Sequence, residues 1–167
     1  MDTRWLTREQ LSTWVRLLAV IELLPGVLDS QLRRDAQLTH FDYYVLAMLS
    51  EAENHTLRMT ALAERTAATL ARLSHVVQRL ESRGLVERFP CPLDKRATNA
   101  RLSDAGWAKV QEAAPGHVET VRQHVIDALT PEQMSQLHEI TEAIIGRLDP
   151  DGRRAVLHRH YDEPPLA

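Results

Sequence analysis

Six side chains between residues 72 and 96 carry the chemistry most worth following in this 167-residue chain: Arg72, Ser74, His75, Arg79, Lys95 and Arg96. All are hydrogen-bond donors or cations, and none is spaced as a nucleophile beside a base. An arginine fork pairs two acceptors of guanine or grips a phosphate, and Ser and His bond base edges. A Lys–Arg pair on a narrow protrusion suits the electronegative minor groove. The chemistry is recognition of double-stranded DNA, with Arg72 as the main reader and Arg79 able to reach base or phosphate. Two plainer readings stand beside it: Ser74 as a surface residue, and Arg79 as a structural ion-pair partner of Glu81 or Glu87.

These side chains need a helix and a hairpin to hold them. Leu73, Val76, Val77 and Leu80 fall at i, i+3, i+4 and i+7, which buries one face of a helix and leaves Arg72, His75 and Arg79 on the other. Thr69 stands where an N-cap belongs, and Gly84 where a left-handed stop is expected. A shorter helix begins near Thr60, and the helix N-termini at Thr60 and Thr69 are candidate phosphate contacts. Beyond Gly84 the period becomes strand-like. Leu85–Phe89 and Thr98–Leu102 read as paired strands, with Pro90, Pro92 and Asp94 punctuating a tip from Cys91 to Arg96. Thr56–Met59 adds a short third strand. The unit is a winged helix-turn-helix.

At these residues the chain resembles the MarR (multiple antibiotic resistance regulator) family. The resemblance is carried by Ala61-Leu-Ala-Glu-Arg65, by Arg79-Leu-Glu-Ser-Arg-Gly-Leu-Val86, and by Asp94-Lys-Arg-Ala-Thr-Asn-Ala-Arg-Leu-Ser103, which fits the wing signature D-x-R-x5-L-[ST]. It implies a ligand-responsive repressor, with Arg96 as the wing arginine that enters the minor groove and Asp94 as the acidic residue that holds the wing in shape. It also implies a small-molecule or redox signal received where dimerisation helices meet the winged region. Candidate pocket residues are Trp14, Arg16, Tyr43, Tyr44 and Met48, with Arg16 a partner for an anionic aromatic effector; the same side chains at helical spacing also read as core. His75, Leu70 and Ala71 depart from the more polar or basic residues frequent in the family, which points to methyl contacts with thymine in place of some hydrogen bonds.

The net charge of −3 conceals an asymmetry. Ten Lys or Arg face five Asp or Glu between Arg58 and Lys109, a local balance of +5 that leaves −8 on the remainder. Phosphate affinity depends on where cations sit, so the pattern is a basic reading head on an acidic body. The single cysteine, Cys91, permits no internal disulfide and suits a reducing cytoplasm. No apolar run reaches the ~18 residues of a membrane span, and the first residues do not form a signal peptide. No nucleotide-binding, hydrolase or metalloprotease motif is present, so neither an enzyme nor a cofactor is expected.

The flanks read as helices built to meet a second copy. Thr7-Arg-Glu-Gln10 is a capping box opening a first helix with Leu11, Trp14, Leu18, Ile21 and Leu24 on one stripe, kinked or broken at Pro25-Gly26. Leu38–Ala52 is the next. After Ser103 a long helix follows, with a bend expected near Gln111 because of Pro115-Gly116. Thr130-Pro-Glu-Gln133 caps a last helix striped by Leu137, Ile140, Ile144 and Leu148. The expected architecture is mainly α with a small β-wing: residues 1–36 as an N-terminal dimerisation region, 37–103 as a winged helix-turn-helix, 104–148 as C-terminal dimerisation helices, and 149–167 as an extension. A two-fold homodimer would set two reading helices on successive major grooves of a pseudo-palindromic operator. The alternatives are a winged-helix module that binds protein instead of DNA, an oxidation switch at Cys91 tuned by Arg88 and Lys95, and a zinc response through His158 and His160 near Asp162 and Glu163, whose spacing is not that of a closed metal site.

Overall fold

The computed structural model describes residues 2–92 and 94–152, the Lys95 side chain excepted. Lys95 as a DNA contact, and His158, His160 and the rest of the extension past Gly152, therefore lie outside the described residues. Six helices and a three-stranded sheet follow in the order α1 (Arg8–Ala36), α2 (His40–Ser50), β1 (Thr56–Arg58), α3 (Met59–Arg65), α4 (Leu70–Ser82), β2 (Val86–Cys91), β3 (Asp94–Leu102), α5 (Asp104–Val121) and α6 (Pro131–Leu148). The helix starts are chemically specified. Thr7, Thr39 and Thr130 each form a reciprocal capping box with the residue three further on, and Thr69 and Ser103 accept from the backbone N–H of Arg72 and Gly106.

Three expectations are corrected. First, α1 is not broken at Pro25-Gly26 but runs as one helix of 29 residues through Pro25. The pyrrolidine removes the bond to the Ile21 carbonyl, but the following turns are held by burial of Leu28, Gln31, Leu32 and Ala36, so packing outweighs the lost donor. Second, α5 is not broken near Gln111. Its helix is continuous through Pro115-Gly116, and an irregularity comes later as a widened π-type turn over Arg122–Ile126. A Cβ on Gly116 would lie 3.0 Å from Gln31 Nε2 on α1, so the bare glycine allows α5 to lie close against α1. Third, the wing strands are longer than expected. Their pairing reaches Pro90↔Thr98 and Cys91↔Asp94, with a register shift between Pro90 and Cys91. The sheet order is β1-β3-β2, so β2 is an edge strand, where a missing N–H is tolerated.

The core sits beneath the wing and crosses the expected boundaries at residues 36 and 104. Leu32 and Ala36 of α1 and Val110 and Ala113 of α5 share one cluster with Val45, Leu46 and Leu49 of α2, Leu73, Val77 and Leu80 of α4, and Ala100 of β3. The termini of the helical frame behave differently. Leu11, Trp14, Leu18 and Ile21 on α1 are exposed, as are Leu137, Ile140, Ile144 and Leu148 on α6. An 18-residue window of α1 also reaches a mean hydropathy of 1.6, apolar enough by length and composition to cross a membrane, which corrects the expectation that no run approaches that limit. Arg16 and Glu22 interrupt this stretch, and α1 beyond it supplies Leu32 and Ala36 to the core of the winged lobe.

Candidate nucleic-acid interface

Thr60 at the start of α3, Leu70 and Ser74 on α4, and Arg88, Arg96 and Thr98 on the wing line one groove of about 210 Å³. The fold therefore gathers four elements separated by up to 38 residues of chain. Thr60 and Arg96 are exposed and Ser74 half-buried. Arg58 is the N-cap of α3 and makes no side-chain cap, so the Thr60 hydroxyl sits in the first turn of a helix with an open start. Thr69, in contrast, spends its hydroxyl on the Arg72 N–H at 3.2 Å. In the wing, the Asp94 carboxylate accepts the Arg96 backbone N–H at 3.0 Å, a local turn that fixes the peptide from which the Arg96 side chain departs.

Arg72, Arg79, Arg88 and Arg101 are engaged within the chain. Arg72 lies with its guanidinium 4.2 Å from the centre of the Phe41 ring, on the side of α4 that faces α1 and α2. Arg79 pairs with Asp42, neither Glu81 nor Glu87. The Asp42 side chain is only 3% exposed and also accepts the Thr39 N–H at 2.9 Å, so one carboxylate caps α2 and anchors α4. Glu81 receives the backbone N–H and guanidinium of Arg88, and these bonds hold its carboxyl below the usual carboxylate range. Glu87 pairs with Arg101, whose guanidinium also faces Phe89. Of these pairs only Arg79–Asp42 draws on a carboxylate outside the stretch, so together they offset the surplus of +5 by just one charge. Exposed His75 was expected on the sequence pattern; exposed Gln78, one turn further along the same outward stripe, was not, although its spacing from His75 already placed it there.

The five expected effector residues do not converge within one chain. Trp14 is exposed on α1, and Arg16 folds back along the same helix onto the Ser12 carbonyl at 3.0 Å. Met48 is core, and the Tyr44 hydroxyl donates to the Arg65 carbonyl at 3.1 Å. Tyr43 packs instead on His117 of α5, ring centres 4.6 Å apart, and the His40 ring stacks on His117 at 6.2 Å. Burial pushes both imidazoles below the ordinary histidine value, with the neighbouring His40 adding to the effect on His117 and Asp29 opposing it at His40. The His117 Nδ1 and the Gln31 Oε1 are both buried without a hydrogen-bond partner. Sequence pattern gave no sign of this cluster, because its members come from three helices. Cys91 is buried in the wing and accepts from Arg58 Nη2 at 3.6 Å, a cation not expected beside it. Among the described residues no group of three metal-ligating side chains is present.

A core-packed α3–α4 pair followed by a β-hairpin, framed by long helices, defines a winged helix-turn-helix protein. A sequence profile of the MarR family matches residues 36–97. A MarR family transcriptional regulator from Streptomyces coelicolor, solved in complex with DNA, superposes with a TM-score of 0.86 at 45% identity, covering 89% of this chain and 93% of that one. AbsC, another from the same organism, gives 0.84 at 38% identity, covering 89% and 99%. The chain belongs to the MarR family, a family of transcriptional regulators and not of enzymes. It is also 26% identical to the Escherichia coli transcriptional repressor MprA over 64% of this chain, and that match spans 60% of the length of MprA.

Proposed function

We propose that this protein is a sequence-specific DNA-binding transcriptional repressor that works as a homodimer on a pseudo-palindromic operator. The observation that carries this reading is the convergence of Thr60, Ser74 and Arg96 on one groove bordered by the outward face of α4. In the proposed complex α4 lies in the major groove and Arg96 reaches the adjoining minor groove, with Lys95 beside it. Thr60, Thr69 and Arg79 border the phosphates, and Ser74 and His75 approach base edges. Asp94 acts at one remove, by fixing the wing turn. MprA is named as a repressor and the Streptomyces coelicolor relative was solved on DNA, which supports the direction of the proposal.

The second copy is argued from the exposed stripes of α1 and α6. Each leaves a row of large apolar side chains exposed, a feature that marks interaction surfaces, and pairing them across a two-fold axis would cover both. For the effector we propose a small anionic aromatic compound received near Tyr43 and His117, where α1, α2 and α5 meet, with Trp14 and Arg16 supplied by the helical frame. Such a ligand weakens DNA binding only if it binds better to a dimer whose reading heads are wrongly spaced, since equal affinity for both states shifts nothing. A cytoplasmic location accords with this role.

The test is selection from a random duplex library at near-physiological salt, run on wild type and on an Arg72→Ala, Arg96→Ala double variant. Recovery of a palindromic motif by wild type, and loss of enrichment by the double variant, is the expected result. Failure of wild type to enrich any sequence would move the protein into the class of winged-helix modules that bind other proteins.

A further inference from the structure

The α4 helix rises between two grooves of different character. On one flank Leu70 and Ser74 face the wing and Thr60; on the other Arg72, Val76 and Arg79 face α1 and the start of α2, among them Asp29, His40 and Phe41. The crest between the flanks is the stripe Ala71, His75, Gln78 and Ser82, spaced i, i+4, i+7 and i+11, and all four are exposed. Crest positions are the ones that point into a major groove when α4 enters it, because a groove about 12 Å wide admits the helix with its flanks turned toward the two phosphate walls.

The flank arginines are already committed. Arg72 lies on the Phe41 ring, Arg79 on Asp42 and Arg88 on Glu81. On the crest, the Ser82 hydroxyl donates to the Arg79 carbonyl at 2.8 Å. Among the described residues, the side chains of His75 and Gln78 make no hydrogen bond, so their side-chain donors and acceptors are available without breaking a contact.

We infer that Gln78, together with His75, is the base-reading pair of α4, and that Arg72 grips a phosphate from the flank instead of reading a base. The carboxamide of Gln78 presents a donor and an acceptor in one plane, the complement of adenine N6 and N7. Ala71, at the helix start, has room beside a thymine methyl. This assignment rests on the DNA-binding reading above and deepens it by naming the residue and the base.

Fluorescence-anisotropy titration tests it, using wild type, Gln78→Ala, Gln78→Glu and Arg72→Ala against duplexes that carry each base in turn at every half-site position. Gln78→Ala should lose discrimination at one position per half-site by roughly tenfold to a hundredfold while other positions keep theirs. Gln78→Glu should move the preference at that position from adenine to cytosine, whose amino group donates to a carboxylate. Arg72→Ala should weaken every duplex alike and reduce the salt slope by about one. The assignment is overturned if both Gln78 variants keep the wild-type preference at every position, or if Arg72→Ala flattens a single position. If wild type itself prefers no duplex, the DNA-binding reading falls and takes this assignment with it. Gln78 is exposed, so circular dichroism of the variants should match wild type.

Discussion

Asp42 closes the N-terminus of α2 and holds Arg79 of α4, and it does so from a position that water scarcely reaches. Replacing it with Ala removes a cap and one end of a partly buried ion pair, while the half-exposed Arg79 can return to solvent. Asp42→Ala should therefore cost about 2 kcal/mol in urea unfolding, with DNA affinity falling further than stability alone explains, because α4 loses its anchor. The His40–Tyr43–His117 stack makes a second residue-scale prediction. Burial lowers both histidines, so the unfolded chain binds protons that the folded chain refuses between the ordinary value of 6.5 and the depressed folded values. Stability is complete above about pH 6.5 and is lost as the pH falls below it. Thermal melts at pH 7.5 and 5.5 should show a drop at the lower pH that a His40→Gln, His117→Gln variant largely lacks; an equal drop in both proteins would remove the stack as its cause.

At the scale of elements, the join between the wing and α5 is the tightest place in the fold. A Cβ on Gly106 would stand 2.1 Å from the Leu85 carbonyl oxygen and 2.7 Å from Leu102 Cδ1, so the first turn of α5 can sit on the base of the wing only without a side chain there. Gly106→Ala should destabilise by about 3 kcal/mol, since backbone must move to admit it. Chemical denaturation measures this, and a cost below about 1 kcal/mol would show that the join is soft. The same elements mark what sequence reveals. The capping boxes at Thr7 and Thr130, the Thr69 cap, the left-handed Gly84 and the buried stripe of α4 are local chemistry, and each was legible because its partners lie within four residues. Pro25 and Pro115 misled the same reasoning: the helices they ought to break are held by Leu32 and by the close approach of Gly116 to Gln31, contacts that span the chain. The Arg79–Asp42 pair and the Arg72–Phe41 stack were hidden for the same reason, with partners about 30 or more residues away. Of the proposed interface, Ser74, His75 and Arg96 were legible from pattern, whereas Gln78 needed the two flanks to be told apart.

For the whole molecule, α1 and α6 matter most, because the single chain leaves their apolar stripes uncovered. Ile140→Glu, Ile144→Glu touches neither the core beneath the wing nor α4. In sedimentation velocity the double variant should run as a folded monomer where wild type runs as a dimer, and its operator affinity should drop at least a hundredfold, because one reading head no longer delivers the other. A wild-type monomer would leave the stripes unexplained. The most direct test of the central claim, that two reading heads on a two-fold frame occupy one operator, is a hydroxyl-radical footprint of wild type on its selected duplex. Two protected patches related by a dyad are expected, with centres about one helical turn, roughly 10 bp, apart on the same face. A single protected half-site, or protection without dyad symmetry, would contradict it.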